Sequence, residues 1–126
     1  MSSNNPLDCS VNDVLEAIKR NETKLALVDV RPEAKKALMP GKIGNAVNIP
    51  MGETLFNDLQ MNNSQFKEKY GIDLPDEKDI VIFHCNQGNG SMFMVNSIKE
   101  KYPGLWEKYN FRNWPGGLES WQKQFE

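Results

Sequence analysis

The apolar run at 80–83, Ile-Val-Ile-Phe, followed at once by His84, Cys85 and a polar turn punctuated by Gly88 and Gly90, constrains this chain more than any other stretch. A strand with one wet face alternates apolar and polar residues, so an unbroken apolar run predicts a strand buried on both faces. Beyond the turn, Met92, Val95, Ile98 and Tyr102 recur at spacings of three and four, which predicts one buried face of a helix. Strand, loop and helix in that order put the Cys85 thiol at a strand end. The two glycines permit backbone conformations closed to other residues, so several loop amides can turn inward around the sulfur. Those amides and the positive end of the helix dipole would stabilise a thiolate, or an anion bound beside it.

The remaining segments alternate in the same way. Residues 7–9 are expected as a short edge strand, and Ser10 with Asp13 resembles a capping box for a helix from Val11 to Arg20 carrying Val11, Val14, Leu15 and Ile18 on one face. Residues 25–30 form a second run of the buried type, stopped by Pro32, and 46–50 a third, stopped by Pro50. Between these two, residues 33–38 are expected as a helical turn. Leu55 with Leu59 and Phe66 with Tyr70 mark two modest helices, the second ending at Gly71. Residues 110–114 are a last strand, and the Pro115-Gly116-Gly117 turn leads into a closing helix bearing Leu118, Trp121 and Phe125. Strands alternating with helices predict an α/β domain with a mainly parallel sheet covered by helices.

With 126 residues the chain suits one domain, 1–126, of which 1–6 are expected to be a flexible tail. A formal net charge of -2 carries no basic surplus for nucleic acid, and no apolar run is long enough to span a membrane. The first residues lack the pattern of a secretory signal or a presequence, so a cytoplasmic chain with free thiols is expected. One histidine, two cysteines and no metal-type spacing leave too few ligands for zinc, and no metal or cofactor is expected. Cys9 is expected to be a small buried hydrophobe rather than a second reactive thiol. A monomer or a weak homodimer is expected.

Three further motifs flank the thiol loop in order. Val28-Asp29-Val30-Arg31 resembles the aspartate-x-arginine strand end of the rhodanese family of sulfurtransferases, and the segment from Gly41 to Pro50 resembles its G-H-I-P-G-A-x-N-I-P stretch. Phe111 to Trp121 resembles its closing G-G-x-x-x-W pattern, and Cys85-Asn86-Gln87-Gly88-Asn89-Gly90-Ser91 its C-x-x-G-x-x-S loop. The resemblance covers nearly the whole chain. It implies a central, mainly parallel five-stranded sheet with helices on both faces. It also implies that Cys85 takes a sulfane sulfur from a small-molecule or protein donor, such as thiosulfate or a thiol persulfide, holds it as a persulfide, and yields it to cyanide or a thiol. Asn86, Gln87, Gly88, Asn89, Gly90 and Ser91 are then the binding loop.

Departures from the family pattern are Lys42 for histidine, Gly44 for proline and Asn45 for glycine, the last tolerable in a left-handed backbone. The loop itself holds no cation, which leaves Arg31 and Lys42 as candidate substrate contacts and favours an organic persulfide over thiosulfate as donor. Asp29 and Arg31 are equally well read as a structural ion pair. A Cys-dependent phosphatase is a weaker reading, because Ser91 stands where that chemistry needs an arginine to clamp phosphoryl oxygens. A catalytically weak protein-binding module of the same fold is the other alternative. His84, adjacent to Cys85 on a strand, should point to the opposite face and pack behind the loop rather than act as its base. Trp114, beside the Gly-Gly turn, is a candidate for the pocket wall.

Overall fold

The computed structural model describes residues 5–125. Four parallel strands form the sheet: β1 (Leu27–Asp29), β2 (Val47–Asn48), β3 (Ile80–His84) and β4 (Asn110–Asn113). Their order across the sheet is β2-β1-β3-β4, with Val28 beside Val47 and Phe83, and Ile82 beside Arg112. The fifth strand expected at 7–9 is reduced to a single bridge between Asp8 and Asn113. Helix α1 (Val11–Arg20) follows immediately, and its Ser10 cap draws the backbone out of the ladder. Of the expected tail, residues 1–4 lie outside the described residues, whereas the Asn5 carbonyl accepts from Asp8 N in a turn.

Seven helices are described: α1, α2 (Glu33–Leu38), α3 (Glu53–Leu59), α4 (Asn63–Tyr70), α5 (Asn89–Lys101), α6 (Pro103–Lys108) and α7 (Gly117–Phe125). None of them is long and apolar enough to cross a membrane. The apolar run of β3 serves two cores at once, because successive side chains leave opposite faces of a strand. Val81 and Phe83 join Val28, Val30 and Phe111 under α3 to α6, while Ile82 joins Leu27, Val14, Ala17, Leu118 and Trp121 under α1 and α7. Ile80, at the start of the run, stays 36 % exposed.

The strand order turns around between β1 and β3. The chain leaves β1 toward β2, returns across the sheet to β3, and continues outward to β4. In an open parallel sheet the loops that follow two such strands diverge and leave a crevice between them. Here those loops follow Asp29 of β1 and His84 of β3, which lie side by side in register.

Candidate active site

The crevice holds a cavity of about 420 Å³, lined by Arg31, Pro32, Lys35, Leu38, Met39, Met51, Cys85, Asn86, Gln87, Asn89 and Gly90. Cys85, 7 % exposed, lies at its floor. The loop curls around the sulfur: Gly88 N and Ser91 N donate to Sγ at 3.1 and 3.4 Å, and the Ser91 hydroxyl lies 3.3 Å from it. The N-cap of α5 is Gly88, which has no side chain with which to cap, so the sulfur takes the acceptor position that a Ser or Asp oxygen usually fills against the third helical amide. Burial pushes the Cys85 thiol up, but the hydrogen bonds from the Ser91 hydroxyl and from the Ser91, Gln87 and Gly88 amides outweigh it and hold the thiol below its ordinary value.

Two glycines make this curl possible. Gly88 has φ +93°, and a Cβ there would stand 2.2 Å from the Pro115 carbonyl oxygen. Gly117, φ +62°, would press a Cβ to 2.3 Å from the Asn86 oxygen. Because Gly117 has none, the start of α7 closes on the loop from outside, with Leu118 N and Glu119 N donating to the carbonyls of Cys85 and Asn86. The carbonyls of Cys85 and Asn86 therefore face α7 while the amides of Gly88 and Ser91 face the sulfur. The Gln87 side chain is drawn away to Glu119 at 2.8 Å.

Arg31 is 1 % exposed and its five N–H groups are all given to the chain itself. Nε and Nη2 grip the Asp29 carboxylate, Nη1 donates to Met39 O and Asn86 Oδ1, and Nη2 also to Gly41 O. The guanidinium borders the cavity but keeps no donor for a ligand, so the ion-pair reading of Asp29 and Arg31 accounts for it. Lys42 is exposed and absent from the cavity wall, where Lys35 stands instead. Trp114 also leaves the wall: it is buried under α1 and α7, its Nε1 donating to Gly117 O. In the segment from Gly41 to Pro50 the positive φ angles fall at Gly41 (+103°) and Gly44 (+50°), and not at Asn45.

His84 is fully buried behind the loop, and its Nε2 has no hydrogen-bond partner among the described residues. Burial, above the opposing effect of Asp29, holds its pKa below the usual value. Cys9 is pushed up to about 12 by burial and by Asp13 and Asp8, which makes it a poor nucleophile. Sequence reasoning missed Lys35, Met51 and Asn113. The last is buried at the end of β4 and holds both the loop and Ser91.

Comparison with known proteins places these features in a family context. A family model described as rhodanese-like domain matches residues 10–124. The rhodanese domain-containing protein CG4456 of Drosophila melanogaster is 30 % identical over 96 residues, covering 71 % of this chain and 85 % of that protein. The adenylyltransferase and sulfurtransferase MOCS3 of Drosophila yakuba is 28 % identical over 122 residues, 93 % of this chain, which spans only 24 % of that protein. Among solved structures, the human single-domain sulfurtransferase TSTD1 superposes with a TM-score of 0.72 at 23 % identity, covering 97 % of this chain and all of that one, a likeness of fold.

Proposed function

The chain belongs to the rhodanese-like family, and from that premise we propose that it is a sulfurtransferase carrying sulfane sulfur as a Cys85 persulfide. The observation that carries the reading is the pair of amides, Gly88 N and Ser91 N, aimed at Sγ at the floor of an open cavity. A nucleophilic thiolate and the persulfide it becomes are both anions, and neutral donors fixed in advance favour both without the cost of reorganising solvent.

In the first step the Cys85 thiolate attacks the outer sulfur of the donor. An S–S bond forms to Sγ, the donor's own S–S bond breaks, and its electron pair leaves on sulfite when thiosulfate is the donor, or on a thiolate when an organic persulfide is. In the second step a thiolate or cyanide attacks the outer sulfur of the enzyme persulfide, forming a new persulfide or thiocyanate and returning the Cys85 thiolate. No net oxidation or reduction is needed.

The cavity wall favours an organic persulfide over thiosulfate. Pro32, Leu38, Met39 and Met51 offer apolar surface for the body of a donor, while Asn86, Gln87 and Asn89 are neutral and the single lysine, Lys35, is solvent-exposed. Intact-mass measurement after incubation with thiosulfate or glutathione persulfide tests both levels. A gain of one sulfur atom is expected on the wild type and on Cys9→Ser, reached at lower concentration with glutathione persulfide, and none on Cys85→Ser. Sulfur retained on the Cys85 variant and lost from the Cys9 variant would refute the assignment.

A further inference from the structure

Ser91 has one hydroxyl proton and two acceptors within its reach. Its Oγ lies 2.5 Å from Asn113 Oδ1 and 3.3 Å from Cys85 Sγ. An amide oxygen carries no hydrogen, so the proton in the shorter contact belongs to Ser91. The amide's orientation follows from its surroundings. Asn113 Nδ2 donates to Gly88 O at 3.2 Å and to Asp8 Oδ1 at 3.4 Å, two acceptors that would repel an oxygen placed there. Asn113 is 2 % exposed, and its backbone is tied on both sides, its N–H to Leu7 O and its carbonyl from Cys9 N. A side chain so braced has no room to follow the serine.

We propose that Asn113 is a positioning residue for the thiol: its Oδ1 competes with Sγ for the Ser91 hydroxyl proton and so governs how readily Cys85 ionises. While the thiol is neutral, Ser91 donates to Asn113, and its lone pairs are free to accept from Sγ–H. When the thiol ionises, its proton leaves through the cavity to water, and the Ser91 O–H turns about its Cβ–Oγ bond from Oδ1 to Sγ. No covalent bond other than S–H changes. The bond gained at sulfur is offset by the one lost at a buried amide oxygen. The charged side chains around this corner are Asp8, on Asn113 itself, Arg31 and Lys35 at the cavity, and Glu119 on Gln87; His84 packs behind, and the hydrogen bonds to Sγ come from none of these.

The proposal concerns the same thiol as the sulfur-transfer reading, but its readout is alkylation by iodoacetamide, which needs no sulfur donor, so either can fail alone. The pH dependence of Cys85 alkylation is measured in a Cys9→Ser background with Asn113→Ala and with Asn113→Leu, which keeps apolar volume if the alanine variant does not melt cooperatively. Each is made with Ser91 and with Ser91→Ala. With Ser91 present, either substitution at Asn113 should raise the alkylation rate at pH 6 about three- to tenfold, as the thiolate fraction rises. In the Ser91→Ala background the same substitution should leave the rate unchanged. A slower rate, or an equal change in both backgrounds, would mean that Asn113 only braces the loop, and the proposal would be wrong. Ser91→Ala alone, which leaves Asn113 in place, should slow alkylation at pH 6 by less than about tenfold. A larger loss would show that the hydroxyl belongs to the sulfur throughout, and would overturn the proposal without recourse to any Asn113 variant.

Discussion

At the scale of single residues, the two loop glycines are not equivalent. Gly88 combines φ +93° with a backbone oxygen 2.2 Å from where its Cβ would be, whereas Gly90 has an ordinary φ and would press only on the end of the Met51 side chain, at 2.8 Å, with Cys85 Sγ at an ordinary 3.9 Å. Gly88→Ala is therefore expected to lower stability by about 1–3 kcal/mol and to abolish persulfide formation, because the loop must shift off Pro115. Gly90→Ala should melt near the wild type and change only donor use, as Met51 moves within the cavity. Thermal melts beside intact-mass loading check both, and equal destabilisation would contradict the difference. The two cations nearest the cavity differ in the same way. Arg31→Gln leaves the buried Asp29 carboxylate unpaired and should lose about 3–5 kcal/mol. Lys35→Gln should leave the melt alone and raise the thiosulfate KM roughly two- to fivefold, the range of an exposed charge pair, with the effect fading as salt is added. Lys42→Gln should do neither. Steady-state kinetics at low and high salt decide; a KM that responds to Lys42 and not to Lys35 would contradict the cavity wall described above.

At the scale of elements, the cavity lies between helices of unequal anchorage. Helix α5 buries Met94, Val95 and Ile98 on the sheet, while α2 buries no residue at all. What holds α2 is polar: Lys36 Nζ donates to Asn48 Oδ1 at 2.9 Å, and Asn86 Nδ2 to Lys35 O at 3.2 Å. Yet α2 and the residues beside it supply Pro32, Lys35, Leu38 and Met39, which line one wall of the cavity. Hydrogen exchange should find the amides of α2 opening well before those of α5, whose apolar contacts yield only with the fold. Similar protection in the two helices would refute this. A donor-facing wall on the less protected helix would let the cavity accept bodies of different size, while the thiol loop stays fixed between α5 and α7.

At the scale of the whole molecule, His84 couples stability to pH. Buried neutral in the folded chain, with its pKa held below the usual value by burial, it takes up a proton more readily when unfolded. The unfolded state then binds more protons below about pH 6.5, so this contribution to stability is complete above that pH and is lost as pH falls toward the folded value. The slope is at most about 1.4 kcal/mol per pH unit. Urea unfolding between pH 5.5 and 7 should show the wild type losing stability on acidification faster than His84→Gln, and parallel curves would exclude the histidine as the cause.

Much of this could be read along the chain. The apolar runs at 80–83 and 25–30, the helical spacing from Met92 to Tyr102 and the Gly-punctuated loop after Cys85 are local patterns, because periodicity and turn chemistry act over a few residues, and they carried the α/β alternation and the thiol at a strand end. The fifth strand did not follow from its sequence, since a ladder needs a partner for several residues and 7–9 meets Asn113 only once. Whether Arg31 is free or spent depended on carbonyls from Met39 and Gly41 and an amide from Asn86, groups that converge only when β1 and β3 lie side by side. The same convergence put Lys35 rather than Lys42 at the cavity, and brought Asn113 against a serine 22 residues away. Local pattern thus determined which segments are strand, helix and loop, and where the thiol stands. Tertiary packing alone decided which donors are saturated and which side chains meet, because saturation and contact depend on neighbours distant in sequence.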